Sequence, residues 1–295
     1  MGETVCCAHR IGAPAVPKSS RSPQGDPTIG RTTRYRPTHL CSGDAVAFVG
    51  KGGAGKSSLA GTFARVLAGT GERVLALDSD PMPGLAFALG IDRSDEGLPD
   101  EAVEGYDDNG RRRYRLRDGL SGTGAVEQYA IVGPNGVRFL QLGKARGRRW
   151  NNSPQHFGFQ HVLDDLPGDG WSIVGDLPGG TRQPFMTWGR YAQTFVVVVE
   201  PTPASMLTGR RLARLATMPQ APRVVVVANK VRERGDIDRV RVGTGLSVIG
   251  AVPFDRELVV ADRLSLAVLD HDPEGPTVTA VRSLVDVLQN GVEPS

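Results

Sequence analysis

The chain has 295 residues, 39% hydrophobic and 23% charged, ordinary for a globular protein and long enough to bury a large core. Its net charge of +3 belongs to the first residues, where Arg10, Lys18, Arg21, Arg31, Arg34 and Arg36 outweigh Glu3 and Asp26, so charge gives no argument that the folded body binds nucleic acid. The three cysteines, Cys6, Cys7 and Cys41, all precede the first expected strand; the body then has no disulfide framework, which fits a reducing cytoplasm, and no apolar run approaches the roughly 20 residues of a membrane span.

Residues 1–42 are rich in Pro, Ser, Gly and Arg without apolar periodicity, and read as a disordered N-terminal arm. Met1-Gly2 followed by Cys6-Cys7 resembles an acylation signal, but Cys stands at position 6 where Ser or Thr is wanted. A transit peptide, a basic arm touching DNA or an acidic partner, and a dispensable extension are the other readings.

From Ala45 short β-branched runs alternate with helical stretches, the pattern of an α/β fold with a doubly wound, mostly parallel sheet. Residues 45–49 (AVAFV) form the first expected strand, 56–71 an amphipathic helix closed by glycines, and 73–80 (RVLALDSD) the second strand. Residues 92–150 break the rhythm: loop composition runs into Arg111, Arg112 and Arg113, and 129–143 reads as a hairpin turning at Pro134-Asn135-Gly136. This stretch reads as an insertion carried on the edge of a single domain spanning 43–295. Further strands are expected at 171–176, 194–200, 223–229 and 246–253, with helices near 157–166, 203–217 and 277–289.

The loop after the first strand admits two phosphate readings. Gly50, Gly52 and Gly55 satisfy the dinucleotide fingerprint, while Gly50, Gly55, Lys56 and Ser57 satisfy G-x-x-x-x-G-K-[ST], the P-loop of nucleoside triphosphatases. A dinucleotide site would use Asp78 at the end of the second strand but leaves Lys56 and Ser57 unexplained. A triphosphate site explains both: the backbone N–H groups of Gly52, Gly53, Ala54, Gly55 and Lys56 wrap the phosphates at a helix N-terminus. Lys56 neutralises β and γ oxygens, Ser57 ligates Mg²⁺, and Ser58 extends the cradle. Asp176, in IVGDLPGG, supplies the acidic metal partner at another strand end, with the N–H of Gly179 placed for a γ-phosphate. The P-loop is therefore the reading adopted. Asn229-Lys230 begins a guanine-type N-K-x-D loop, but position 232 is Arg. Without that carboxylate adenine is favoured, with Asn229 on the base and Pro253, in VPFD, closing over it.

These segments, GKGGAGKSS, LALDSDPMPGLAFALG, VGDLPGG, VVANKV and IGAVPFD, resemble in order and spacing the deviant Walker A ATPases, a group that includes MinD/ParA, the nitrogenase iron protein and the nickel-insertion ATPases of carbon monoxide dehydrogenase. The resemblance spans most of 45–255 and is nearest in layout to the nickel-insertion proteins. It implies an Mg²⁺-dependent ATP hydrolase that forms an ATP-dependent homodimer, in which Lys51 reaches the partner's phosphates. It also implies that Asp80 activates the attacking water, that Asp78 supports the metal shell, and that Asp176 with Gly179 and Gly180 senses the γ-phosphate. A structural hydrogen bond from Asp78 to the P-loop helix is the alternative for that residue.

The resemblance also has limits. No cysteine follows Cys41, so the thiolate metal carriage of the nickel and iron proteins does not transfer. His156 and His161 are five residues apart, which skews two imidazoles around a helix rather than pairing them. The last residues lack the basic amphipathic helix of a membrane-targeting tail. For DNA binding the candidates are Arg111 to Arg113, Arg115, Arg117, Arg146, Arg148, Arg149 and the helix with Arg210, Arg211 and Arg214, though charge runs of this kind are usually solvated faces. The expected function is an ATP-gated switch for maturation or assembly of an unidentified protein client. A DNA-binding positioning ATPase and a nucleotide-sensing module with little turnover are the alternatives.

Overall fold

The computed structural model describes residues 43–80, 84–92, 97–142, 154–166, 170–182, 184, 189–217 and 222–290; the expected arm at 1–42 and Arg146, Arg148 and Arg149 lie outside them. Ten strands are described in this part of the chain: β1 (Ala45–Gly50), β2 (Val74–Asp78), β3 (Val103–Asp108), β4 (Arg111–Leu116), β5 (Ile131–Val132), β6 (Arg138–Gln141), β7 (Ser172–Asp176), β8 (Thr194–Val199), β9 (Arg223–Val231) and β10 (Val248–Pro253). Eight of them form one sheet in the order β10-β9-β8-β1-β7-β2-β6-β5. All neighbours pair in parallel except β5 with β6. The valine runs of β8 and β9 are continuous because strands covered on both faces have no solvent side to mark with polar residues.

Alternation along β1 divides the core. Val46 and Phe48 face the layer of α1 (Lys56–Gly69) and α9 (Pro276–Asn290), where Phe63, Val281 and Leu284 are buried. Ala47 and Val49 face the opposite cluster. That cluster draws Phe159 and Val162 from α4 (Pro154–Asp165), Leu212 from α5 (Pro203–Leu212) and Val240 from α6 (Arg234–Thr244). The remaining helices are α2 (Leu85–Leu89), α3 (Gly122–Tyr129), α7 (Arg256–Arg263) and α8 (Val268–His271). The helix expected over 203–217 is α at first and tightens to a 3₁₀ turn from Ala213 to Thr217.

The stretch read as an edge insertion is more structured than its composition suggests. The hairpin at Pro134-Asn135-Gly136 is present as β5 and β6, with Asn135 and Gly136 left-handed at φ 59° and 76°. Its second strand, however, pairs in parallel with β2 and belongs to the main sheet. The segment read as loop forms the separate antiparallel ribbon β3–β4. There the triple arginine faces an acidic strand: Arg113 meets Asp108 at 3.0 Å and Arg115 meets Glu104 at 2.8 Å.

One buried cation ties three elements together. Arg65, on the inner face of α1 and 5% exposed, donates to both oxygens of Asp270 on α8 at 2.7 Å and to Asn135 Oδ1 at 2.9 Å. Asp270 is itself half-exposed, so water takes over much of its solvation when the guanidinium is removed, and the loss is that of the Arg65 hydrogen bonds and stem packing. Arg65→Ala is expected to lose about 1–2 kcal/mol, or roughly 2–8 °C of melting temperature for a domain of this size. Thermal unfolding followed by circular dichroism checks it; an unchanged midpoint would mean the clasp contributes nothing.

Candidate functional site

In open α/β sheets ligands bind beyond the carboxyl ends of the strands where the chain order reverses. That point is the end of β1, flanked by β8 on one side and β7 on the other. The glycine loop stands there. Gly55 is the N-cap of α1 at φ 93°, a left-handed conformation that favours glycine, and no side chain caps the helix. The first N–H groups of α1 are consequently without intrahelical acceptors, and the positive end of the helix dipole is open to an anion. Lys56, the first helical residue, is 7% exposed.

The acidic side of the site comes from two adjacent strand ends. Asp176 closes β7 in register with Asp78 at the end of β2, and both carboxylates are buried. Ser57 Oγ donates to Asp176 Oδ2 at 2.5 Å, while Asp176 Oδ1 is buried with no hydrogen-bond partner. Burial pushes the Asp176 carboxyl above the usual range, and the charge of Asp78 adds to the rise; the Ser57 hydroxyl and the Lys56 ammonium oppose it. Asp78 is likewise pushed up by burial, against the backbone N–H groups that it accepts. A hydroxyl and an orphaned buried carboxylate oxygen, side by side at the mouth of an anion site, are donors of the hard oxygen kind that Mg²⁺ takes. The residues fit such an ion.

The two readings of Asp78 are not equally supported. Its Oδ1 accepts from Asp80 N at 2.9 Å, and its Oδ2 accepts from Gly84 N and Leu85 N at 3.1 and 3.0 Å. The geometry favours a hydrogen-bonding role, directed at Asp80 and at Gly84 and Leu85 where α2 starts rather than at the P-loop helix. Asp80 is half-buried beside it, with its backbone N–H on that carboxylate. Residues 81–83, which follow it, lie outside the described residues.

The segment after β7 continues alongside the end of β1. Leu177 N donates to Phe48 O at 3.2 Å and Gly180 N to Gly50 O at 2.9 Å. Gly179 lies so close that an added Cβ would stand 2.9 Å from Gly52 N and Gly52 Cα. Lys51 Nζ meets the adjacent Gly52 carbonyl at 3.3 Å.

The expected base-binding residues do something else in part. Asn229, 2% exposed at the end of β9, donates Nδ2 to Ala54 O at 2.7 Å and so supports the loop from beneath. Pro253 is half-buried at the end of β10, and Asp255 beyond it caps α7 and accepts from Thr277 Oγ1 at 2.7 Å. Arg232 stacks over the Phe254 ring at 3.9 Å. Beside Ser57 and Ser58 a cleft of about 300 Å³ opens between α1, α2 and α7, with Thr62, Phe87 and Leu258 in its walls.

One pair in the site has no counterpart among the expected residues. Lys230 Nζ donates to Gly53 O at 2.7 Å and pairs with Glu200 Oε1 at 2.5 Å. The available signal was positional: Glu200 ends the strand next to β1, and Lys230 lies beside Asn229 near the end of β9. His156 and His161 lie half-buried on α4, and no group of three or more His, Cys, Asp or Glu side chains among the described residues is arranged to hold a metal ion.

Residues 46–277 match the family model described as the CobQ/CobB/MinD/ParA nucleotide binding domain. In sequence the chain is similar to the carbon monoxide dehydrogenase accessory protein CooC of Rhodospirillum rubrum, at 26% identity over 247 residues, 77% of this chain and 90% of that one. In fold it is similar to a ParA family ATPase from Chlorobium tepidum TLS, with a TM-score of 0.65, 17% identity and coverage of 82% of this chain and 97% of that one. It is also similar to the septum site-determining protein MinD complexed with Mg-ADP from Pyrococcus horikoshii OT3, with a TM-score of 0.61, 18% identity and coverage of 82% and 94%. No helix among the described residues is long and apolar enough to cross a membrane.

Proposed function

The chain belongs to the CobQ/CobB/MinD/ParA nucleotide-binding family, and from that premise we propose that it is an Mg²⁺-dependent ATPase whose ATP-gated homodimer serves the maturation or assembly of a protein client. The observation that carries the reading is the buried Ser57–Asp176 pair with its orphaned oxygen, set against an uncapped helix N-terminus. Hydroxyl, carboxylate, lysine and free N–H groups together suit a metal-bound triphosphate.

In this mechanism Lys56 and the N–H groups of Gly52, Gly53 and Gly55 to Ser58 bind and orient the phosphates, while the Ala54 N–H stays on Lys51 O. Ser57 and the Asp176 carboxylate would hold Mg²⁺, which would supply charge neutralisation to the triphosphate. Asp80 takes the role of aligning the attacking water, and Asp78 acts through the backbone by holding the amides of Asp80, Gly84 and Leu85. Gly179 and Gly180 lie against the loop where a γ-phosphate changes their packing, so loss of that phosphate releases the segment. Lys51 supplies charge to the neighbouring protomer's phosphates.

The likeness to an accessory protein of carbon monoxide dehydrogenase supports a maturation role. Cargo bound by thiolates in the body is not part of this proposal, since no cysteine follows Cys41. The DNA reading is weakened by the charge ladder of β3–β4, where Glu104 and Asp108 pair with two of its arginines, and by Arg210, whose Nε donates to Gly243 O at 3.1 Å.

Phosphate release by wild type and Lys51→Ala, with light-scattering mass in ATP, in ADP and without nucleotide, tests the proposal. ATP-dependent dimers whose turnover falls about 10³-fold in Lys51→Ala are expected, with no stimulation by DNA. A monomer under all conditions, with turnover indifferent to Lys51, would sink the dimeric switch, and DNA-stimulated turnover would favour a positioning ATPase.

A further inference from the structure

We propose that Lys230, backed by Glu200, is a positioning residue that holds the phosphate loop in its binding shape before nucleotide arrives. Its consequence for binding rests on the ATPase reading above; its effect on the loop does not.

Lys230 has φ 58° although it lies within β9. Left-handed backbone is uncommon for residues with a side chain and unfavourable for all but Gly, Asn and Asp. Two of the other positive-φ residues besides glycine, Asn109 and Asn135, are asparagines in hairpin turns, where that conformation is ordinary. A lysine held there within a strand is an outlier of the kind that surrounding structure must over-determine. The turn in the backbone delivers its ammonium to Gly53 O at 2.7 Å and to Glu200 Oε1 at 2.5 Å. Glu200 is itself anchored, since its N–H donates to the buried Ser205 hydroxyl at 3.0 Å.

The carbonyl and N–H of a trans peptide point in opposite directions, so fixing one aims the other. Gly53 O is held by Lys230, and the N–H across the same peptide, on Ala54, donates to Lys51 O at 3.1 Å. That peptide is fastened at both ends. Ala54 O, in the next peptide, is held by Asn229, which turns the N–H of Gly55 away from the sheet and toward the open side of the loop. Consecutive residues of one strand thus fasten consecutive carbonyls of the loop. A loop fastened in this way loses little further freedom when phosphate binds, and preorganisation of this sort appears as affinity. The ammonium also offsets the Glu200 carboxylate, which would otherwise repel an incoming anion.

The test uses the full chain, with Lys230→Gly to remove the ammonium while relieving the left-handed backbone, and Lys230→Arg to keep the charge. Three quantities are read: the Kd for a fluorescent ADP analogue with Mg²⁺, residue-resolved hydrogen exchange of the Ala54 amide without nucleotide, and the melting temperature. Lys230→Gly is expected to bind about tenfold more weakly or worse, as the loss of a hydrogen bond to a charged group implies. It should also exchange Ala54 about tenfold faster and melt at or above wild type, with Lys230→Arg in between. Wild-type affinity and wild-type exchange in Lys230→Gly would overturn the proposal, as would an affinity loss matched by a general loss of stability. If wild type itself binds no nucleotide the ATPase reading fails, and the Ala54 exchange comparison alone then decides the clamp.

Discussion

Asp176→Asn is expected to lower affinity for Mg²⁺ in the nucleotide complex by about 10–100-fold and turnover at limiting Mg²⁺ at least as far, while making the nucleotide-free protein more stable at alkaline pH. The two effects share one cause. Asp176 is a buried carboxylate with one oxygen on Ser57 and the other without a partner, so ionisation costs free energy until a cation arrives. Its folded-state pKa is raised by that burial and by Asp78. For an acid the sign is then fixed: the folded chain holds its proton more tightly than the unfolded chain, so stability is greatest below the ordinary carboxylate range. It declines as pH rises through that range toward the raised pKa. Asparagine keeps an acceptor for Ser57 but removes the charge, and with it the share of the decline that Asp176 contributes; buried Asp78 keeps its own share. Melting curves between pH 5 and 8, without nucleotide, should fall with pH in wild type and fall less steeply in Asp176→Asn. Mg²⁺ binding should tighten with pH in wild type, because the carboxylate must be ionised to meet the ion. A parallel pH dependence in both proteins would place the titration elsewhere.

Gly179→Ala is expected to cut ATP turnover by about tenfold or more while leaving the affinity for ADP within about threefold, a split between chemistry and ground-state binding. An alanine Cβ would stand 2.9 Å from Gly52 N and Gly52 Cα, and that neighbour is backbone in the phosphate loop, which cannot swing aside as a side chain would. The segment after β7 must then lift from the loop and strain the Gly180 N–H bond to Gly50 O. In the proposed mechanism a diphosphate leaves that approach unused, whereas a γ-phosphate needs it. Steady-state phosphate release together with ADP titration separates the two. Equal losses of both would mean that the added methyl deforms the loop itself rather than the approach to it.

What could be read in the sequence follows physical lines. The glycine loop, α1 and the valine strands were legible because burial on both faces leaves long apolar runs, and because a phosphate cradle constrains glycine, lysine and serine at fixed intervals. The ribbon β3–β4 and helix α6 were not legible, since neither announces itself by apolar periodicity. The ribbon carries cross-strand ion pairs, and α6 is fastened at its start by the reciprocal capping of Glu233 and Asp236. Asp78 was open to two roles because its hydrogen bonds go to amides whose positions depend on the path of the chain after β2. Lys230 was legible only as the neighbour of Asn229: its backbone turn comes from tertiary contacts, not from any propensity of lysine. Asn229 is expected on the base from its place after a strand, and its further bond from Nδ2 to Ala54 O was not legible because it depends on how the loop folds over β9.

The two-residue strand β5 has a consequence for solubility. A mostly parallel sheet depends on pairings between distant parts of the chain, which form slowly and leave unfinished edges exposed to other chains. At one border of this sheet, Ile131 and Val132 lie antiparallel along β6, and Gly133 N closes the turn on Val137 O at 2.8 Å. So short a strand offers an intruding chain very few free amides, which blunts templated aggregation. The opposite border ends in Pro253, which has no N–H to offer at all. The protection stands at the β5 margin; β10 is a six-residue edge strand in which Pro253 alone lacks the N–H.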